Sequence, residues 1–201
     1  RSILYPYFDG HFYEKLGTSI IFGTKVDQLG TQLFLPYELQ KSLNKVSFEN
    51  HPLVQENKTL LEFKNEVAFS WWNNPYTYYI VLSGIVLINK KGINLFYLSI
   101  MGILGLFFSF VGFYSQHLEL GYNYNILLFN PTLLGLLYLY WTKNKKGIYN
   151  LALFNIILLV VYLFFIINKA HFILVLPLII TNSILLVRIA IQNKKRNPIV
   201  I

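Results

Sequence analysis

From Pro75 to the C-terminus the chain is a series of long apolar runs separated by short polar clusters. About 20 consecutive apolar residues suffice to cross the ~30 Å hydrocarbon core of a bilayer as a helix. Five segments fit or approach that length: Pro75–Asn89, which is short, then Ile93–Tyr114, Tyr124–Trp141, Ile148–Ile167 and Phe172–Ile191. Asn74 before Pro75 makes a good cap and first-turn pair for the first span. Trp71, Trp72, Tyr76, Tyr78 and Tyr79 around it suit an interfacial aromatic belt. Pro131, preceded by Asn130, falls near the start of the third and marks a helix start or kink. The expected fold is an all-α membrane protein, five transmembrane helices preceded by a small extracytoplasmic segment with short helices. Buried helices of a large soluble protein are the rival; four spans near the threshold length argue against them.

Charge supports the membrane reading. The chain carries a net +8, yet only 13% of its residues are charged, about half the usual share. Residues 1–75 hold seven Lys/Arg and eight Asp/Glu; residues 76–201 hold ten and one. A nucleic-acid binder would array its basic residues on one polar face. Here they sit in clusters between apolar runs, which is how membrane topology is encoded. In a five-span chain Lys90, Lys91, Lys143, Lys145, Lys146, Arg188, Lys194, Lys195 and Arg196 fall on one side, and Lys169 alone on the other. The positive-inside rule then puts the C-terminus in the cytoplasm and residues 1–70 outside a cytoplasmic (inner) membrane. Membrane lipid is the expected partner and nucleic acid is not.

Residues 1–70 read as part of an extracytoplasmic domain and 71–201 as the transmembrane domain. In the first part, "HFYEKLGTSIIFG" has helical spacing with Gly23 as its C-cap, and "LFLPYELQKSLNKV" starts a helix near Pro36 with Leu39, Leu43 and Val46 on one face. "PLVQENKTLLEF" partly alternates and suits a strand. So short a segment has too little core to fold alone and should pack on the membrane domain or on sequence upstream. The chain opens at Arg1 and its only methionine is Met101, so it reads as a processed or truncated piece. It has no cysteine, hence no disulfide, thiolate metal site or cysteine nucleophile in the sequence as given. No metal-ligand spacing, phosphate-binding glycine loop or serine triad occurs, and no cofactor is expected. Without acidic residues inside the spans or an internal repeat, an ion-coupled transporter is disfavoured.

The polar chemistry of the apolar half gathers in "SQHLELGYNYNILLFNP", Ser115–Pro131. It holds His117, one of four histidines, and Glu119, the only acidic residue after Glu66. His117 suits either a general base or a substrate-binding group, or a clamp between helix ends. Asn123 and Asn125 read as loop and cap residues or as polar contacts for a ligand. Within the spans Ser99, Ser109, Asn155, Thr181, Asn182 and Ser183 suit bonds between helices, and Gly102, Gly105 and Gly112 allow close approach. Arg188 lies near an end where it can snorkel.

His117, five residues, then Asn123-Tyr-Asn125-Ile-Leu127, with Pro131 six residues after Asn125, resembles the outer loop of the Lnb-type lipoprotein N-acyl transacylases. "MGILGLFFSFVGF" resembles that family's second membrane helix. "FGTKVDQLGTQLFLPYELQKSL", continuing to "PLVQENKTLL", resembles the end of its extracytoplasmic domain. The resemblance implies a five-helix membrane domain behind a cysteine-hydrolase-like domain, with lipoproteins as partners. It implies movement of an acyl chain from a lipoprotein's glyceryl cysteine to its amino group. The family's nucleophilic cysteine, in an Asn-Cys segment with a histidine upstream, has no counterpart here. The chain therefore reads as the C-terminal part of such a protein, positioning a lipid-anchored substrate for a catalytic domain upstream and inactive alone. His117, Glu119, Asn123 and Asn125 are the substrate-binding candidates; Asn74, Pro75 and Pro131 are structural. The alternative is a non-enzymatic membrane anchor or assembly subunit that docks a partner through the extracytoplasmic segment.

Overall fold

The computed structural model describes residues 5–27, 36–58 and 70–194. Contacts divide the chain into two units, Arg1–Asp27 with Phe69–Ile201, and Gln28–Ala68.

In the second unit, helix α2 (Pro36–Leu43) is followed by a two-residue hairpin, β1 (Ser47–Phe48) and β2 (His51–Pro52). Ser47 pairs with Pro52 and Phe48 with His51. Glu49 and Asn50 make the turn with φ of 48° and 65°, the left-handed pair a tight two-residue hairpin requires. Leu39, Leu43 and Val46 are exposed on this unit. The strand expected over "PLVQENKTLLEF" is limited to Pro52: Leu53–Lys58 is not strand, and the rest lies outside the described residues. Its partial alternation has no partner beyond the two-residue ladder.

The first unit holds α1 (Phe12–Ile21), between 3-10 turns at Tyr5–Phe8 and Thr24–Asp27, and the apolar helices. These are α3 (Pro75–Ile88), α4 (Lys91–Tyr114), α5 (Gly135–Trp141), α6 (Lys145–Ile166) and α7 (Phe172–Asn193). At 1.5 Å per residue, the 24 residues of α4 and the 22 of α6 and of α7 reach about 33–36 Å, enough to cross a bilayer. The 14 residues of α3 reach only about 21 Å. α3 begins as its sequence dictates, with Thr77 N–H donating to the Asn74 carboxamide at 3.1 Å and Pro75 in the first turn. At its other end Asn89 adopts φ 46°, a left-handed cap. Arg188 is held at the end of α3: its guanidinium donates at 2.6 Å to the carbonyl of Val86, in the last turn of that helix. That carbonyl has no helical partner, and a cation there also suits the helix dipole.

The third apolar run is not one helix. Tyr124–Leu127 and Pro131–Leu134 are 3-10 turns, and only Gly135–Trp141 is α-helical. The cause is local. Asn123 and Asn130 turn their side chains onto the N–H groups of Asn125 and Thr132, at 3.0 and 2.8 Å. Pro131 also keeps Asn130 out of helical backbone. Irregular backbone among membrane spans is tolerated where protein buries it, and here Leu128, Phe129 and Leu133 are buried. α4 supplies the room. A Cβ on Gly105 would overlap the carbonyl oxygen of Phe129, and one on Gly102 would meet Leu134 at 2.8 Å. Asn182 donates to Leu128 O at 3.3 Å and Thr132 to Asn155 Oδ1 at 3.2 Å. Ser99 and Ser109, by contrast, bond back to their own helix.

α6 packs along α7 and forms the centre of the core, with Ala152, Tyr162, Ile166, Val175 and Leu185 fully buried. The opposite faces are apolar and open: Ile80, Leu87, Phe96, Phe110, Phe113 and Phe164 are all exposed. An apolar surface of that extent belongs in lipid rather than water. Trp71, Trp72, Tyr76 and Tyr79 are exposed as an interfacial belt requires, whereas Tyr78 turns inward. Its hydroxyl donates to Leu174 O at 3.1 Å.

Candidate functional site

α1 is a ten-residue helix with a free hydrogen-bonding end at each terminus. Asparagines far away in sequence occupy both. At the start, Asn73 accepts the Tyr13 N–H at 2.8 Å and donates to Glu14 Oε2 at 2.7 Å. This reproduces the reciprocal bonding of a capping box with the cap supplied from another part of the chain. Bonding to Asn73 holds the Glu14 carboxyl below the usual carboxylate range. The Tyr13 hydroxyl bonds Thr77 at 2.9 Å, and its ring stacks on Trp72.

At the other end, the Asn123 amide donates to the carbonyls of Ile20 and Ile21, both at 2.9 Å. The Asn125 amide donates to Ile20 O at 3.0 Å and to Phe22 O at 3.5 Å. Asn125 Oδ1 in turn accepts the Tyr162 hydroxyl of α6 at 2.7 Å. Asn125 is 0% exposed; Asn123 is also buried, and its Oδ1 accepts the Asn125 N–H. Gly23 adds a third tie, N–H to Glu119 O at 2.7 Å. It does not end α1 as a left-handed cap, for the cap is extended Phe22. Gly23 is needed for space, since a Cβ there would overlap the carbonyl oxygen of Gly121.

Next to this clamp lies a charged group of residues. The Tyr124 hydroxyl donates to Asp27 Oδ2 at 2.6 Å, and Lys169 Nζ lies 3.8 Å from the same oxygen. The Asp27 side chain is 8% exposed, that of Lys169 35%. The Tyr124 oxygen is also 3.4 Å from Nε2 of His171, which is 0% exposed and directly precedes α7. A phenol has one proton. With that proton on Asp27, the His171 contact requires Nε2 to be the donor. Tyr124 stacks on Phe165 of α6. The group can hold a carboxylate and align a proton chain Asp27–Tyr124–His171.

Of the residues singled out in the sequence, Asn123 and Asn125 come together. Glu119 joins them through its backbone, and its carboxylate lies 3.9 Å from Lys25. His117 is exposed, and none of the bonds of Asn123, Tyr124 or Asn125 involves it. Its backbone N–H donates to Ser115 Oγ at 3.1 Å. Sequence reasoning missed Asp27, Asn73, Tyr124, Tyr162, Lys169 and His171. Lys169 was the one signal, as the lone basic residue between spans on its side of the membrane. Among the described residues no group of His, Asp or Glu could hold a metal ion.

The long apolar helices, the lipid-exposed faces and the buried irregular third segment define a multi-pass helical membrane protein. The family model for the Lnb transmembrane domain matches residues 77–196, well over half of the chain, and the chain belongs to that family. No curated protein and no solved structure matches it.

Proposed function

We propose that this chain is the membrane part of an Lnb-type lipoprotein-modifying protein in the cytoplasmic membrane. It holds a lipid-anchored substrate against an extracytoplasmic catalytic domain of the kind the resemblance implies. The observation that carries the reading is the clamp on α1. Residues before the first apolar helix are fastened at both ends to the membrane domain, through Asn73 and through Asn123 and Asn125. Such a fastening fixes a domain in register with the bilayer. Confining enzyme and substrate to one leaflet raises effective concentration and limits orientation. The nine-to-one division of basic residues supports five spans, with α1 and Ser115–Pro131 outside and the C-terminus inside.

The reaction moves an acyl chain from a glyceryl ester oxygen to the amino group of the lipoprotein's first residue. The ester bond breaks, an amide forms, and the glyceryl oxygen takes the proton. His117 and Glu119, which have exposed surface in the loop, face the polar part of the substrate; Asn123 and Asn125 set the loop's position. A second reading, a non-enzymatic anchor, draws on how fully the cluster's polar groups are committed to one another.

The full-length protein, incubated with a diacylated lipopeptide, decides by mass spectrometry. Transfer to the amine with a lyso product is expected. His117→Ala should lower it about threefold to a hundredfold, as loss of one polar substrate contact implies, with melting unchanged. A folded full-length protein that leaves the lipopeptide untouched would favour the anchor.

A further inference from the structure

Four of the apolar helices have an end at one small polar pocket. Asn89, the cap of α3, Lys91 and Asn94 in the first turn of α4, Tyr140 near the end of α5 and Gln192 near the end of α7 line a cavity of about 100 Å³. Lys90, Lys143 and Lys194 stand beside the same helix ends. Helix ends rich in lysine belong at the membrane surface, at headgroup level, rather than in the hydrocarbon. Asn94 is 7% exposed. Its Nδ2 donates to Asn89 Oδ1 at 3.0 Å, which turns its own Oδ1 the other way. That oxygen is buried and has no partner among the described residues. A buried acceptor left unmet is costly, and the pocket is where it finds a donor.

The donors around that oxygen ask for the opposite kind of group. Lys91 Nζ stands over the Tyr140 ring, 4.2 Å from its centroid, a contact that holds the ammonium without using its N–H donors. The N-terminus of α4 beside it is open. Lys90 caps the helix with no side-chain bond, so first-turn N–H groups and the positive end of a 24-residue helix are available to an anion. A bare anion would meet the Asn94 oxygen, and a bare cation would meet Lys91. A group that carries a phosphate and, two carbons away, a protonated amine satisfies both. The cavity exceeds what one water needs and takes an aminoethyl arm.

We propose that this pocket binds the headgroup of phosphatidylethanolamine from the leaflet at its own end of the helices. The ammonium donates to Asn94 Oδ1, and the phosphate lies against Lys91 and the first turn of α4, with exposed Gln192 at the rim. That leaflet is the cytoplasmic one in the five-span arrangement proposed above. The site lies at the other end of α4 from the Ser115–Pro131 loop. It does not depend on the acyl-transfer reading, because its ligand is bilayer lipid rather than lipoprotein.

Phosphatidylcholine has the same phosphate but methyls in place of the ammonium N–H groups, so it isolates the donor. The chain in detergent is offered equal amounts of phosphatidylethanolamine, phosphatidylcholine and phosphatidylglycerol, at raised salt to screen the surface lysines. Lipid extracted from the repurified protein is then quantified by mass spectrometry. Phosphatidylethanolamine should be retained about tenfold or more over phosphatidylcholine, the worth of a hydrogen bond from a charged donor. Asn94→Leu should bring it down to the level of phosphatidylcholine, and Lys91→Gln should lower both alike. Equal retention of these two lipids would mean that water fills the pocket. Greater retention of phosphatidylglycerol would mean that the lysines attract anionic lipid without a headgroup site. Either result, or unchanged selectivity in a folded Asn94→Leu chain, would overturn the proposal. The comparison of lipids on the unsubstituted chain decides even where a variant folds poorly.

Discussion

The side-chain amide of Asn125 donates to the carbonyl of Ile20 at 3.0 Å, across 105 residues of chain. It joins the end of a helix that precedes the apolar spans to a turn in the middle of them. The Tyr162 hydroxyl holds the other side of the same amide. Replacing Asn125 by Leu keeps the volume and strands both groups. An unsatisfied buried polar group costs about 1–3 kcal/mol, so Asn125→Leu should destabilise by roughly 2–4 kcal/mol in detergent melts. It should also release Phe22–Asp27 to proteolysis. Asn123→Leu, with the same carbonyls still partly served by Asn125, should cost less.

Glycine substitutions separate close backbone approach from helix propensity. A Cβ at Gly23 or Gly105 overlaps a backbone carbonyl, whereas Gly84 has open space and Gly112 only an ordinary contact at 3.5 Å. Gly23→Ala and Gly105→Ala should each lose about 1–3 kcal/mol or more. Gly84→Ala should be neutral or gain up to about 1 kcal/mol. Equal melting temperatures for all would remove the steric account of the broken third segment.

The Asp27 pair is asymmetric. Asp27→Ala takes a charged acceptor from the Tyr124 hydroxyl, a bond of about 1.5–3 kcal/mol. Lys169→Ala removes a partly exposed ion pair at 3.8 Å, for which about 0–1 kcal/mol is expected. Thermal melts should therefore rank Asp27→Ala well below Lys169→Ala, and a double-mutant cycle should show weak coupling between them.

Glu14 makes the N-terminal fastening of α1 acid-sensitive. Its folded carboxyl sits below the usual value because Asn73 bonds the ionised form. A depressed carboxylate contributes above the unfolded value, near 4.5, and its contribution disappears as pH falls through the lower folded value. Hydrogen exchange at the Tyr13 amide should stay slow from neutrality down to that range and rise below it. Asn73→Ala should bring fast exchange at every pH.

The long helices were legible because apolar length alone specifies them: α4, α6 and α7 run within a few residues of the spans expected from Ile93, Ile148 and Phe172. The third span failed as a helix because Asn123, Asn130 and Pro131 override an apolar pattern that does not distinguish helix from buried turn. The polar loop stood out in sequence, but the groups it binds did not. Ile20, Ile21 and Phe22 offer backbone carbonyls, which leave no trace in residue type. Asp27, Tyr162 and His171 reach the loop only through tertiary packing.

The central claim is that α1 and the Ser115–Pro131 loop form one clamp on the extracytoplasmic face. The chain has no cysteine, so single cysteines report position without background. Gln116→Cys and Lys194→Cys, treated in intact cells with a membrane-impermeant thiol reagent, measure it directly. The account predicts labelling at position 116 and protection at position 194 until the membrane is opened. Labelling at 194 with protection at 116 would contradict it.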